Sequence, residues 1–246
     1  MEKLHFKAIA SKIVLILTVS FSLFGCSDPL KQQARTVRVA PVSEQYKLTE
    51  RIQGKVYVLL AEASTGQEQH KYAVSDSLAR AVKEYEKYSG ISSFLDFGGK
   101  PDKEITFDEN LEVSSFTDLA NKLNEKDISQ RYSEMRDFYQ RNGMFKKSDI
   151  EFLGKEIGAN YLILPCLLDI RRWGTSRFSI LGLKVINTQV IGVVVSMEIW
   201  DTKTGHKVFS ATSDVTIASE RIRENPISID EAFENAWFGI IEQLPE

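Results

Sequence analysis

The apolar positions of this chain fall into two kinds of rhythm. Lys55 to Ala61 (KVYVLLA) is a nearly continuous apolar run rich in strand formers, which predicts a buried strand. From Ala73 to Tyr88 the period lengthens: Leu78, Ala81, Val82 and Tyr85 share a helical face. Ser75 is the expected N-cap of that helix and Gly90 its stop. Strand followed by helix is an α/β opening. Phe94 to Phe97 is read as a short strand closed by Gly98-Gly99, and the polar stretch Lys100 to Val113 as a loop. Phe116, Leu119, Ala120 and Leu123 predict one short helix. Ile128, Tyr132, Met135 and Tyr139 predict another, which Gly143 ends.

In the second half, Ser148-Asp149-Ile150-Glu151 has the form of a capping box, with Ile150, Leu153 and Ile157 on one face and Gly158 as terminator. Tyr161 to Ile170 predicts a second buried strand, which Pro165 moves towards a sheet edge or a bulge. Gly174 to Gln189 is apolar but irregular and is read as a hairpin arm extending from the sheet. Val190 to Trp200 alternates cleanly, with Val193, Val195, Met197 and Ile199 on one face. Asp201 to Gly205 is a hairpin turn with Gly205 at the left-handed position, and Lys207 to Ile217 returns through Phe209, Ala211, Val215 and Ile217. A final helix begins at a second capping box, Ser228 and Glu231. Its wide stripe of Ile229, Ala232, Phe233, Ala236, Trp237, Ile240, Ile241 and Leu244 must pack on the sheet.

The amino terminus follows other rules. Lys3, Lys7 and Lys12 precede an apolar run of 12 residues, Ile13 to Phe24. A membrane-spanning helix needs about 20 apolar residues, so this run has the length and flanks of a signal peptide. It ends in Leu23-Phe24-Gly25-Cys26, which resembles the lipobox of bacterial lipoproteins. The alternative is a plain signal peptide with an incidental cysteine. The resemblance implies cleavage between Gly25 and Cys26, acyl chains such as palmitate on Cys26, and a protein held on a membrane without spanning it. In that class an aspartate directly after the cysteine marks inner-membrane retention; here Ser27 follows it and Asp28 is one place too late, so the resemblance favours the outer membrane, facing the periplasm. Residues 1–25 are then a signal peptide and 26–48 a lipidated cysteine with a polar tether. Residues 49–246 form one α/β domain with a helical insertion at about 91–147. A flexible tether of some 20 residues would span about 25 Å.

Composition narrows the function. The 246-residue chain has a formal charge of −3, and loss of residues 1–25, with three lysines and one glutamate, takes it to −5. That disfavours nucleic acid, which needs a basic face. With Cys26 lipidated, Cys166 has no partner for an intramolecular disulfide, and within Tyr161 to Leu168 it reads as a small buried hydrophobe. His70 and His206 both read as solvated surface. No zinc pattern, nucleophile elbow or cofactor motif stands out, and Gly98-Gly99-Lys100 lacks the remaining positions of a phosphate loop. Glycosidase chemistry would need two carboxylates held about 5 to 9 Å apart across a cleft, and Glu84 with Glu86, or Asp108 with Glu109, read instead as solvated faces. Arg171-Arg172-Trp173 at a strand end is either a salt-bridge cluster or a contact patch for lipid head groups or a partner, with a guanidinium able to stack on the indole.

Two segments carry a wider resemblance. Leu153 to Leu164 (LGKEIGANYLIL) is a helix ending in Gly-Ala-Asn before a buried strand, and Val195 to Gly205 (VSMEIWDTKTG) is a strand running into an Asp-x-Lys-Thr-Gly hairpin. With the closing helix, this resembles the envelope superfamily of the curli-secretion channel CsgG, the synthase activator LpoB and the TolB amino-terminal domain. The resemblance implies an α/β (α+β) fold, anticodon-binding-domain-like: a mixed β-sheet with a long C-terminal hairpin and helices packed against it. It implies a non-enzymatic, lipid-anchored module that binds an envelope protein or forms a homo-oligomer, with a secretion-channel subunit or an envelope hydrolase as alternatives. A channel needs membrane-spanning hairpins with strands of about 9 to 11 residues, and Gly174 to Gln189 offers one short candidate. No cofactor or metal is expected.

Overall fold

A computed structural model describes residues 31–89, 110–180, 183–221 and 228–245. The expectations for Gly25, Cys26, Gly90, Phe94 to Phe97 and the Gly98-Gly99 closure lie outside these residues. Among them are seven strands and five α-helices: β1 (Lys31–Val39), β2 (Lys55–Val58), β3 (Glu62–Ala63), α1 (Lys71–Ser89), β4 (Glu112–Ser114), α2 (Phe116–Glu125), α3 (Ser129–Asn142), α4 (Lys147–Ile157), β5 (Tyr161–Ile180), β6 (Leu183–Asp201), β7 (His206–Arg221) and α5 (Ile229–Ile241). The strands form one mixed sheet in the order β1-β7-β6-β5-β2-β4, with β3 pairing β5 beyond the end of β2. β2 runs parallel to β4 and β5, whereas β5, β6, β7 and β1 are successively antiparallel. This is the mixed sheet with a long hairpin and packed helices that the sequence predicts.

Alternation assigns the faces. Val58, Ile163, Val193, Val195, Met197, Ile199, Ala211, Val215 and Ile217 point to one side, where α1 and α5 cover them with Leu78, Val82, Tyr85, Phe233, Trp237 and Ile240. Burial of a side chain such as Phe233 contributes roughly 1.5–3 kcal/mol. The Trp237 indole N–H donates to Ser77 Oγ at 2.9 Å, which removes the cost of a buried unpaired donor. On the opposite side Tyr57, Leu59, Leu162, Leu164, Cys166 and Trp200 meet α2, α3 and α4 through Leu119, Leu123, Met135, Ile150 and Leu153, joined by Phe145 from the α3–α4 connection. These helices cover only the β2–β5 half of that face. Further across, Thr36, Arg38 and Asp214 are exposed.

Several local expectations need correction. Residues 31–39, expected within the tether, form edge strand β1, in register with β7 from Lys31↔Ser219 to Val39↔Ala211. Its inward positions are Gln33, Arg35 and Val37, so its period of two is carried largely by polar side chains. Glu112 and Val113, expected in a loop, belong to β4. Pro165 lies in an interior strand: it falls between Ile163, paired with β2, and Cys166, paired with β3, where neither strand pairs with it. The bulge comes later, between Leu167 and Asp169. Ser75 sits inside α1, accepting from the Ala61 amide at 2.7 Å and donating to the Lys71 carbonyl. The N-cap of α4 is Lys146, without a side-chain bond, so Ser148 and Glu151 form no box. Ser228 does cap α5, accepting from the Asp230 amide rather than from Glu231. The complete capping box is Ser115 with Asp118, at α2.

Candidate functional site

Period-two geometry separates the Arg171-Arg172-Trp173 cluster. Arg171 pairs with Gly192 and Trp173 with Val190, on the open face of the sheet, while Arg172 pairs with Ile191 and lies on the other. Arg171 is held by acids: its Nη2 donates to Asp214 Oδ1 at 2.6 Å, and its Nε lies 3.3 Å from Asp169 Oδ2. Arg171 therefore sits in an ion cluster with Asp169 and Asp214, and among the described residues no guanidinium stacks on the Trp173 ring. Trp173 remains 47% exposed, whereas Trp200 and Trp237 are 4% and 0% exposed. Beyond Gly174 the arm continues as two paired strands to Ile180↔Leu183.

The two segments that carried the sequence resemblance meet at the opposite end of the sheet. Thr202 Oγ1 contacts the Ala159 carbonyl at 2.6 Å and the Asn160 carbonyl at 2.9 Å, and its amide donates to Asn160 O at 3.0 Å. Asn160 in turn donates its amide to Lys55 O and accepts the Lys55 amide on Oδ1 at 2.8 Å. Gly154 lets α4 approach this knot, because a Cβ there would overlap the Thr202 side chain. Gly158 and Gly205 take left-handed φ values of 70° and 68°, as their turns require. The motif therefore joins β2, α4, β5 and the β6–β7 hairpin. Its chemistry is structural.

A buried polar network fastens α3 to the sheet. Arg136, 6% exposed, donates from Nε to Glu62 Oε1 at 2.8 Å, from Nη2 to the same oxygen, and from Nη1 to Tyr132 Oη at 3.1 Å. Gln140 Nε2 donates to Glu62 Oε2, and Lys71 Nζ lies 3.6 Å from it. A second carboxylate, Glu198, accepts from Tyr139 Oη, Trp200 Nε1 and Lys207 Nζ at 3.1, 3.2 and 2.8 Å. Beside it, burial and then the Glu198 charge push the Cys166 thiol up to about 11. Burial and the neighbouring Cys166 and Glu198 raise Tyr139 as well. Cys166 is thus the small buried group the sequence predicts, held as a protonated thiol. These carboxylates already hold cations and hydroxyl donors, and sequence reading missed both, because Arg136, Gln140 and Tyr139 lie 59 to 78 residues from the carboxylates they meet.

A cleft of about 410 Å³ opens where β1 ends, lined by Val39, Pro41, Leu48, Val208, Phe209 and Pro245. At its side the His206 ring stacks on Tyr46 at 3.7 Å and 12°. That corrects the expectation of a solvated imidazole: the 40–48 segment folds back over the hairpin. Among the described residues no three His, Cys, Asp or Glu side chains converge as a metal would need, and no helix is long and apolar enough to cross a membrane.

No protein-family model matches the sequence, and no curated protein does. Solved structures with some likeness include a PelC dodecamer from Paraburkholderia phytofirmans, at 12% identity and TM-score 0.41, covering 87% of this chain and 100% of that one. A variant of that dodecamer gives 13% and 0.40, over 86% and 98%. Lipoprotein GNA1162 from Neisseria meningitidis gives 10% and 0.31, over 76% and 92%. Likeness at this level assigns neither family nor function.

Proposed function

We propose that the protein is a lipoprotein of the bacterial envelope, anchored through acyl chains on Cys26, whose folded body is a non-enzymatic module for binding or assembling envelope proteins. The observation that carries the reading is the Leu23-Phe24-Gly25-Cys26 sequence behind three lysines and a short apolar run. Two acyl chains hold a protein stably on a bilayer, at roughly 0.8 kcal/mol per buried methylene. The outer membrane, facing the periplasm, is the location favoured by Ser27. The kinship with CsgG, LpoB and the TolB amino-terminal domain is part of the same proposal and rests on the two motif segments now seen to form one structural knot. The engagement of Glu62 and Glu198 by cations and hydroxyls supports a body built to hold its shape. From Gly174 the arm is seven residues long on each side, 174–180 and 183–189, fewer than the 9 to 11 of a spanning strand, which weighs against the channel-subunit reading.

Intact mass spectrometry of protein extracted from membranes tests the anchor. The expected species starts at Cys26 and carries acyl chains; a chain still beginning at Met1, or one without lipid, rejects the proposal. Photo-crosslinking in intact cells from Thr36 or Arg38, on the exposed sheet face away from the arm, tests the module: a defined envelope protein or a second copy is expected.

A further inference from the structure

The strand register sets the direction in which the chain leaves the sheet. β1 runs antiparallel to β7, and Gln32 pairs with Ala218. Ala218 pairs with Val190, and Val190 with Trp173. Gln32, Ala218, Val190 and Trp173 therefore form one row across four strands, about 14 Å wide at strand spacings near 4.8 Å. Directly paired residues share a face, so this row belongs to the open face on which Trp173 is exposed. Traced back towards the amino terminus, β1 points the same way as the outgoing β5, towards the arm. Six peptide units separate Cys26 from Gln32, a reach of at most about 20 Å. From Gly174 to Ile180 the arm rises about 20 Å beyond the row in the same direction.

Charge agrees with this geometry. In a chain of net charge −3, the sequence from Ile170 to Met197 holds no acidic residue and four basic ones, Arg171, Arg172, Arg177 and Lys184. Asp169 and Asp214 are engaged by Arg171. Glu220, two positions along β7 from Ala218, is the acidic residue nearest the row on that strand. Phe178, Ile180, Leu183, Val185 and Ile186 add apolar sequence to the two strands of the arm. Tryptophan and basic side chains together suit the interfacial layer of an anionic bilayer.

We infer that the arm end of the sheet, with Trp173 on its exposed face, rests on the same anionic lipid surface that the acyl chains of Cys26 enter. This second contact depends on the anchor proposed above. It orients the body: β5, β6 and β7 stand on the bilayer with the arm down, and the Asn160–Thr202 knot is carried farthest from it.

The test uses the full-length lipidated protein in vesicles of phosphatidylethanolamine and phosphatidylglycerol with brominated acyl chains. Trp200 and Trp237 are buried, so quenching reports chiefly on Trp173. Quenching is expected to be roughly twofold or more stronger than in Trp173→Phe, as for an interfacial indole. It should fall in an Arg172→Glu, Lys184→Glu double variant that still floats with the vesicles. Wild-type protein that floats but shows the quenching of Trp173→Phe overturns the second contact and leaves the anchor standing. Wild-type protein that does not float removes both. A photoreactive residue at position 173 that links to a protein in cells instead of to lipid also overturns the inference.

Discussion

Single side chains decide whether the layers close. An alanine at position 154 would gain about 1 kcal/mol of helix propensity, yet its methyl would overlap Thr202, which two carbonyls hold in place. Overpacking of this kind costs about 1–3 kcal/mol, so Gly154→Ala is expected to lower the urea midpoint. Arg136→Ala strips the main cation from Glu62 and should cost about 3 kcal/mol in the same measurement. Cys166 gives a signed pH effect. Its thiol ionises near 9.0 when unfolded and near 11 when folded, so above pH 9 the unfolded chain has lost the proton first. The stability from the buried neutral thiol is whole below pH 9 and declines by roughly 2–3 kcal/mol as pH rises to 11. Denaturant curves from pH 8 to 11 should therefore fall less steeply for Cys166→Ala. At this scale the sequence shows residue type and local spacing: Gly158, Gly205 and the buried Cys166 were all readable. It does not show which distant group each one meets. Asn160 and Thr202 could be noticed as parts of two motifs, but the hydrogen bonds between them exist only after the sheet forms.

Elements with a regular apolar period were legible, and those whose period is polar were not. α5 and β6 show long stripes because each buries one face in the larger core. β1 alternates as faithfully, but with Gln33 and Arg35 at two of its inward positions. Arg35 Nη2 reaches Glu242 Oε2 at 2.8 Å, with both side chains nearly covered, and this ion pair, together with the bond from Nη1 to the Asn235 carbonyl in α5, makes an inward arginine acceptable. The strand was hidden because its stabilising partner lies 207 residues on. Helix starts show the same divide. Ser115 and Asp118 satisfy each other locally, whereas Ser148 has the right spacing but lies inside a helix that starts at Lys147. A tether could be deleted without effect; a strand cannot. Removing residues 31–39 should expose Glu242 and the β7 edge, costing at least the ~3 kcal/mol of a broken buried pair, or roughly 6–12 °C in Tm by calorimetry. Ser115→Ala should cost about 1 kcal/mol, read by denaturant titration.

For the whole molecule, pattern indicated an α/β opening, and the resemblance carried by two short segments implied the class of fold, a mixed sheet with helices packed against it. Strand order was not legible, because the first strand joins the sheet beside the last, across some 180 residues of chain. Such a pairing leaves no trace in local periodicity. The same pairing has a mechanical meaning. Tension applied through an amino-terminal anchor pulls β1 along its own axis, while the hydrogen bonds to β7 run across that axis. The nine rungs share the load in shear instead of opening one at a time. Single-molecule stretching from the amino-terminal side should thus meet greater resistance than peeling from Pro245, where α5 can unwind turn by turn, so a body tugged by its membrane attachment would yield last at the strand that carries the leash.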